Sequence, residues 1–364
     1  MPHNTASVYD VPKTCRAALC KNPGEAYELE LVENYPVPTP ARGQLLLKIN
    51  CTGLCLSDHH NMKGDIGIPM LPTCHCAGHE GAGVVVALGE GVDPEQWKVG
   101  DRAGVKPLLD VCHECAHCRG GDEGLCPKLV PTGAFSDGSF CEYIVSPARY
   151  TTRIPDNVPD EWAAPMMCSG TTIYTAIKRS GIRPGQWLVL PGGGGGVGHL
   201  GCTYAKNQGI RVVVIDTGAE KKALCESLGA EAFVDFKTVS DTAAEVKRIT
   251  GGGGHVVIVT GGTAAAYASA PPLLRPGGTM ICVGLPPAGT AIAGCDPVAI
   301  IFQKLQIRGS LTGNQADADE ALDFVARGLV KPHVTTRPFG EFKEAFADLL
   351  ASKVAGRLVI DFRL

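Results

Sequence analysis

The run "QWLVLPGGGGGVGHLGCTYAKNQGIRVVVID", Gln186 to Asp216, admits few folds. A short apolar strand leads into a glycine turn, then a helical stretch, then a second apolar strand. Neither strand alternates polar and apolar residues, so each must be covered on both faces. Parallel sheets flanked by helices meet that condition. The alternation continues: "AEKKALCESLGAEAFVDF" supplies another helix and strand, and "GHVVIVTGG" and "GGTMICVGL" two more fully apolar strands. Upstream, "GTTIYTAIKRSGI" has helical spacing. The expectation is a doubly wound α/β sheet.

Within the turn lies Gly193-x-Gly195-x-x-Gly198, with Gly196 and Val197 filling the gap. Alone, this pattern is often a bare structural turn. Here it follows a strand and opens a helix, the context that dinucleotide binding requires. The glycines let the backbone approach a pyrophosphate at the helix N-terminus, where free N–H groups and the helix dipole favour negative charge. The following strand ends in Asp216. A carboxylate there accepts from a ribose 2′-hydroxyl and repels a 2′-phosphate, which points to NAD rather than NADP.

The first third reads differently. "GQLLLKINCTGL" (Gly43 to Leu54) and "EGAGVVVALGEGV" (Glu80 to Val92) look like strands bounded by glycine turns, so this part is expected to be largely β. Past Gly309 come two helices, "ADEALDFVARGL" and "FKEAFADLLAS", and a last strand, "RLVIDF". The organisation expected is a β-rich domain over 1–167, an inserted α/β domain over 168–309, and a return to the first domain over 310–364.

Composition narrows the function classes. At 364 residues, 45% hydrophobic and 19% charged, the chain is of globular type. A formal net charge of −4 does not suit a nucleic-acid surface. No stretch approaches the roughly 18 to 20 apolar residues of a membrane span. The opening "MPHNTASVYD" lacks the basic-then-apolar order of a signal peptide. Sixteen cysteines in so long a chain suggest metal ligands and reduced thiols rather than a disulfide framework, so the cytoplasm is the expected location.

Four of those cysteines, Cys112, Cys115, Cys118 and Cys126, are spaced C-x2-C-x2-C-x7-C. Four thiolates without a carboxylate or water would close a tetrahedral structural zinc site. A ferredoxin-type cluster run has a last gap of three residues, not seven. A nucleic-acid zinc module is disfavoured by the acidic balance, and unliganded thiols rarely fall at such spacing. His113 and His117, inside the run, are expected to face solvent.

Other chemistry-bearing residues are scattered: "CLSDHH" from Cys55, "GHEGAG" with His79 and Glu80, and "MMCSGTT" with Cys168. Taken with the four-cysteine segment, "DGSF", the glycine turn with Asp216, "GN-x-AD-x-x-EALDF-x-ARGLVK" and the terminal "GR-x-V-x-D", they resemble the zinc-dependent medium-chain alcohol dehydrogenases, closest to the yeast and fungal type. The resemblance spans nearly the whole chain. It implies a GroES-like, partly open β-barrel catalytic domain with an inserted Rossmann-type domain and the site between them. It also implies a catalytic zinc on Cys55, His79 and Cys168, besides the structural zinc, and a zinc- and NAD(H)-dependent interconversion of alcohols with aldehydes or ketones. Asp58 would orient His79, and Glu80 would sit behind the metal. Ser57, the nicotinamide ribose and His60 would relay the alcohol proton, with His59 facing outward. Lys221 would contact the ribose and Arg357 the pyrophosphate. A homotetramer is implied, with a dimer as runner-up.

The chain departs from that pattern in three places. Leu56 replaces a basic residue that touches the pyrophosphate. Ile66 and Pro107 replace tryptophans that narrow the alcohol pocket, so larger substrates than ethanol are expected. Cys74, His75 and Cys76 crowd the approach to His79, where local packing is the simpler reading and an additional metal ligand the other. Two rival functions stand beside the main one. The first is a biosynthetic oxidoreductase for a bulky secondary metabolite. The second is a dinucleotide-binding sensor without activity, against which the intact set Cys55, Ser57, His60, His79 and Cys168 argues.

Overall fold

A computed structural model describes residues 9–364; most of the opening segment read above for a targeting signal, residues 1–8, lies outside them. Among the described residues, no helix is long and apolar enough to cross a membrane.

The expected parallel sheet is present. Six strands run in the order Ala232–Asp235, Arg211–Asp216, Trp187–Pro191, Gly254–Val259, Leu274–Cys282, Gln306–Gly309, every neighbouring pair parallel. Chain order reverses between Trp187–Pro191 and Gly254–Val259. In open α/β sheets ligands bind at such a switch point, beyond the carboxyl ends of the strands. Leu188, Val189, Leu190, Val212, Val213 and Val214 are all fully buried, which is why these strands show no alternation in sequence. The helix Gly198–Asn207 follows the glycine turn directly.

The N-terminal part is β-rich as expected. Its seven-stranded sheet runs Val334–Pro338, Arg357–Asp361, Gln44–Gly53, Gly81–Leu88, Arg102–Val105, Thr152–Arg153, with Tyr143–Pro147 also pairing on Gln44–Gly53. The last strand returns to the first domain: Val359 pairs with Gly53 and Asp361 with Cys51, antiparallel. This is the GroES-like barrel closed from both ends of the chain. The helix Gln315–Ala326 buries Ala321, Leu322 and Val325 and packs on the helix Thr171–Ser180 and the strand Thr152–Arg153, so the returning segment touches both domains before it reaches the barrel.

A feature not anticipated is the short helix Leu56–Lys63, which carries "LSDHH". Its apolar residues have no helical stripe, so periodicity gives no signal there. What starts it is Cys55 at the N-cap and Asp58 reaching back to the Cys55 N–H, and Gly64 ends it in the left-handed conformation at φ 74°.

Candidate active site

Three separate segments deliver thiol, imidazole and carboxylate to one place. Cys55 caps the helix Leu56–Lys63. His79 and Glu80 immediately precede the strand Gly81–Leu88. Cys168 sits in one turn of π-helix, Met166–Gly170, between the helices Asp160–Pro165 and Thr171–Ser180. Such wide turns often mark functional sites. Thr171 Oγ1 donates to Met166 O at 2.8 Å and Ser169 Oγ to Pro165 O at 2.8 Å, bonds that hold the turn open. Ligand atoms of Cys55, His79, Glu80 and Cys168 all lie within 4.8 Å of one another. Ligands about 2.0–2.3 Å from a tetrahedral zinc are about 3.3–3.8 Å apart. The set is compact enough for one ion.

The surroundings are those of a cation site. Asp58 Oδ1 lies 2.6 Å from His79 Nδ1 and also accepts from Gly78 N at 3.1 Å, while Oδ2 accepts from Cys55 N at 3.1 Å. The Asp58 bond takes the Nδ1 proton and leaves Nε2 as the nitrogen that faces the cluster. Ser57 Oγ is 3.1 Å from Cys55 Sγ and 3.3 Å from His79 Nε2. Hydrogen bonds from Cys168 and His79 hold the Cys55 thiol well below its ordinary range, against the effect of burial. Burial presses the His79 imidazolium down, but Asp58 and Cys55 outweigh it and carry it well above its usual value. The Cys55 bond and burial hold the Cys168 thiol well above its ordinary range, so an ion bound here would have to displace that proton.

Glu80 and Arg357 form a fully buried ion pair at the back of this cluster. Burial raises the Glu80 carboxyl to about 7, with Arg357 opposing. Gly53 makes room: a Cβ there would lie 1.9 Å from Glu80 Oε2. The pairing places Arg357, expected at the pyrophosphate, against both features. A Cβ on Gly196 would meet Arg357 Cδ at 2.6 Å, so one guanidinium touches the glycine turn and the metal cluster. The sequence gives no sign of that link.

The turn itself is packed too closely for side chains. Side chains at Gly193, Gly194, Gly196 and Gly198 would strike Val214, Lys221, Arg357 and Gly193 at 2.4–2.7 Å. Gly192 (φ 82°) begins the bend. Val197 caps the helix Gly198–Asn207, and Gly195 N donates back to Gly192 O at 3.1 Å. Asp216 Oδ2 accepts from Gly194 N at 2.9 Å, and Oδ1 from Thr217 N at 2.9 Å and Lys221 Nζ at 3.2 Å. Asp216 and Lys221, expected at the ribose, therefore stand together beside the turn. His199 below it is locked neutral: Nδ1 bonds Gly195 O at 3.1 Å and Nε2 accepts from His333 N at 3.2 Å.

His60 stays close to the cluster on the same helix, but its ring nitrogen Nδ1 is 2.7 Å from Asp65 Oδ1, a partner the sequence reading missed. The only local signal was an acid five residues on, past a glycine. His59 is half-buried rather than outward-facing, its Nδ1 2.7 Å from Tyr27 OH. Leu56 is 41% exposed. Cys74, His75 and Cys76 join no group of metal-ready side chains among the described residues; Asp137 Oδ1 accepts from the N–H groups of His75 (2.6 Å) and Cys76 (3.0 Å) and holds that loop by local bonding.

Cys112, Cys115, Cys118 and Cys126 form a second compact group, their thiols within 4.8 Å of one another. Backbone N–H groups point at the sulfurs: Cys112 N to Cys126 Sγ at 3.3 Å, Cys115 N to Cys112 Sγ at 3.3 Å, Lys128 N to Cys126 Sγ at 3.4 Å. Such donors favour thiolates, and the Glu114 N–H is foremost in lowering Cys112 to about 6. His113 and His117 are exposed, as expected. Three contacts tie this lobe to the rest of the chain: Arg179 reaches Asp122 Oδ1 at 2.5 Å, and Glu123 Oε2 accepts from Tyr150 OH at 2.5 Å and Gln315 N at 3.0 Å.

Residues 41–156 match the family described as alcohol dehydrogenase GroES-like domain, and residues 196–327 the family described as zinc-binding dehydrogenase. The chain is 42% identical over 330 residues to an alcohol dehydrogenase of Schizosaccharomyces pombe, covering 90% of this chain and 93% of that one. It is 41% identical over 329 residues to alcohol dehydrogenase 1 of Emericella nidulans, covering 90% and 92%. Among solved structures, an acetophenone reductase from Geotrichum candidum in complex with NAD superposes with a TM-score of 0.84 at 26% identity, covering 97% and 98%.

Proposed function

Because the chain belongs to the zinc-dependent medium-chain alcohol dehydrogenases, oxidoreductases acting on CH–OH groups, we propose that it interconverts an alcohol and its aldehyde or ketone with NAD(H), one catalytic zinc and one structural zinc per chain. The observation that carries this reading is the convergence of Cys55, His79, Cys168 and Glu80 within 4.8 Å, with the glycine turn linked to it through Arg357. Cys55, His79 and Cys168 would hold the catalytic ion; Cys112, Cys115, Cys118 and Cys126 the structural one. Bound zinc supplies Lewis acidity at the substrate oxygen, and the nicotinamide exchanges the hydride.

The chain's own residues do the rest. Asp58 keeps the His79 proton on Nδ1 so that Nε2 stays a ligand. Ser57, within 3.3 Å of two proposed ligands, would take the alcohol proton, and His60 on the same helix would release it to solvent. Glu80 and Arg357 set the charge behind the cluster, and Arg357 extends it to the pyrophosphate. Gly193, Gly195, Gly196, Val197 and Gly198 present the backbone to the phosphates, and Asp216 with Lys221 holds the ribose. Domain limits near 168 and 309 are part of the same proposal, supported by the six parallel strands, which all lie between Trp187 and Gly309. The NAD complex of the Geotrichum reductase supports the coenzyme choice and a ketone substrate.

Ile66 and Pro107, in place of aromatic walls, support a wider pocket and favour the second reading, a bulky biosynthetic substrate. Self-association as a tetramer, or else a dimer, is supported by the strand Gln306–Gly309. It forms one open edge of the sheet, and the preceding helix leaves Ile301 and Phe302 70% and 84% exposed. The acidic balance and cysteine content support a cytoplasmic enzyme of small molecules.

The test is turnover at 340 nm by zinc-reconstituted protein, with NADH and NADPH against ethanal, branched aldehydes and aryl ketones. NADH is expected to be preferred, and Asp216→Ala to narrow that preference. Wild-type preference for NADPH would overturn the coenzyme choice. Ethanal as best substrate would overturn the wide pocket, and absence of any turnover the activity.

A further inference from the structure

Asp65 has no role in the reading above, yet its placement is specific. It follows the helix Leu56–Lys63 by two residues, and its Oδ1 lies 2.7 Å from His60 Nδ1. Its other oxygen is sealed from solvent without a hydrogen bond, Lys63 Nζ standing 3.6 Å away. Its main chain is fixed at both ends: Asp65 N donates to His60 O at 3.2 Å, and Asp65 O accepts from Ala288 N at 2.7 Å. Ala288 belongs to the loop after Leu274–Cys282, so Asp65 is held by both domains. The two side chains are only 11% and 18% exposed. His60 Nε2, by contrast, has no hydrogen bond among the described residues and is not sealed from solvent. The neighbouring charged and titratable groups are His59, bonded to Tyr27, and Lys63, paired also with Glu25 at 3.1 Å.

We propose that Asp65 is the positioning residue of the proton relay: it keeps the His60 proton on Nδ1 and so leaves the Nε2 lone pair to receive the proton from the ribose. The inference rests on the dehydrogenase reading. In alcohol oxidation the substrate O–H proton moves to the Ser57 oxygen as the Ser57 proton moves to the ribose 2′-oxygen, and the ribose proton moves to His60 Nε2. His60 becomes an imidazolium whose Nδ1–H stays on Asp65, and it then releases the Nε2 proton to water. A free histidine side chain prefers the opposite tautomer, with the proton on Nε2, which has no lone pair to offer there. The carboxylate both selects the useful tautomer and stabilises the cation that follows, the part a buried aspartate plays beside histidine in hydrolase triads. The Ala288 bond refers His60 to the coenzyme domain as well as to the barrel.

Zinc-loaded full-length protein tests this with Asp65→Asn, Asp65→Ala, His60→Gln and the double variant Asp65→Asn/His60→Gln. Asp65→Asn is expected to lower kcat/KM for alcohol oxidation about tenfold or more, with the NADH dissociation constant within about twofold of wild type. The double variant is expected to be no slower than His60→Gln alone, because Asp65 acts only through His60. Nitrogen-15 NMR of histidine-labelled protein, with the His60 signal assigned from its loss in His60→Gln, is expected to show the proton on Nδ1 in wild type and on Nε2 in Asp65→Ala. Wild-type rates in Asp65→Asn, multiplying losses in the double variant, or an Nε2 proton in wild type would each overturn the proposal while leaving the dehydrogenase reading intact. A wild type that oxidises no alcohol would overturn both.

Discussion

Gly53 offers the sharpest test of the packing behind the metal cluster. Its backbone is not in the left-handed region, so nothing conformational forbids a side chain there. Space alone does: a Cβ would stand 1.9 Å from Glu80 Oε2 and 3.0 Å from the Glu80 carboxyl carbon. Glu80 has nowhere to go, being fully buried and paired with the equally enclosed Arg357. Gly53 cannot retreat either, since its N–H donates to Glu80 O at 2.9 Å and it pairs with Val359 across the sheet. Gly53→Ala must therefore part the buried ion pair. Breaking such a pair costs about 3–5 kcal/mol. At roughly 2–4 °C per kcal/mol for a domain of this size, the melting temperature should fall by about 6–20 °C. Activity should fall with it, because Glu80 lies within 4.8 Å of the proposed zinc ligands. Thermal unfolding by tryptophan fluorescence measures the first effect, zinc content and turnover the second. Glu80→Asp shortens the side chain, so in that background Gly53→Ala should cost at least about 1 kcal/mol less. Wild-type stability in Gly53→Ala, or an equal cost in both backgrounds, would refute the steric argument.

Cys115→Ser should lose one of two zincs per chain and loosen the contact of the lobe with Arg179 and Gln315, while the folded fraction keeps its reaction; one zinc in fully reconstituted wild type would contradict the two-site assignment. Leu56→Arg should tighten NADH about tenfold to a hundredfold, the worth of one hydrogen bond to a charged group. Equal fluorescence titrations would mean that Arg357 already serves the pyrophosphate. Burial lowers His199 to about 3, below the ordinary value of about 6.5. The unfolded chain therefore binds more protons between those limits, and stability should fall as pH falls through that window, by about 1.4 kcal/mol per pH unit for this group. His199→Gln should flatten that acid limb in urea unfolding, and an unchanged slope would show that other groups set it.

How much of this was legible in the sequence depended on distance along the chain. The glycine turn, its helix and Asp216 lie within one strand-turn-helix-strand unit, where connectivity leaves few arrangements, and the structure reproduces that unit. The four-cysteine lobe was legible for the same reason: short gaps bring thiols together whatever the rest of the fold does. The helix Leu56–Lys63 was missed because it is held by capping and burial, not by an apolar stripe, and periodicity detects only the stripe. His59 was read as outward-facing because no local pattern shows that Tyr27, on another segment, covers it.

The sequence by itself determined the parallel sheet, the glycine turn that opens a helix and the grouping of four cysteines, all products of local chain geometry and continuous apolar runs. Only the tertiary structure decided that Arg357 joins Glu80 to the glycine turn and that Asp65 holds His60, and it brings together Cys55, His79 and Cys168, which the sequence grouped only through the family resemblance. Those side chains come from different strands, turns and helices with no periodic spacing between them. What unites them is the cost of burying charge: an enclosed carboxylate, guanidinium or imidazole must find a partner, and only the packed fold decides which one is within reach.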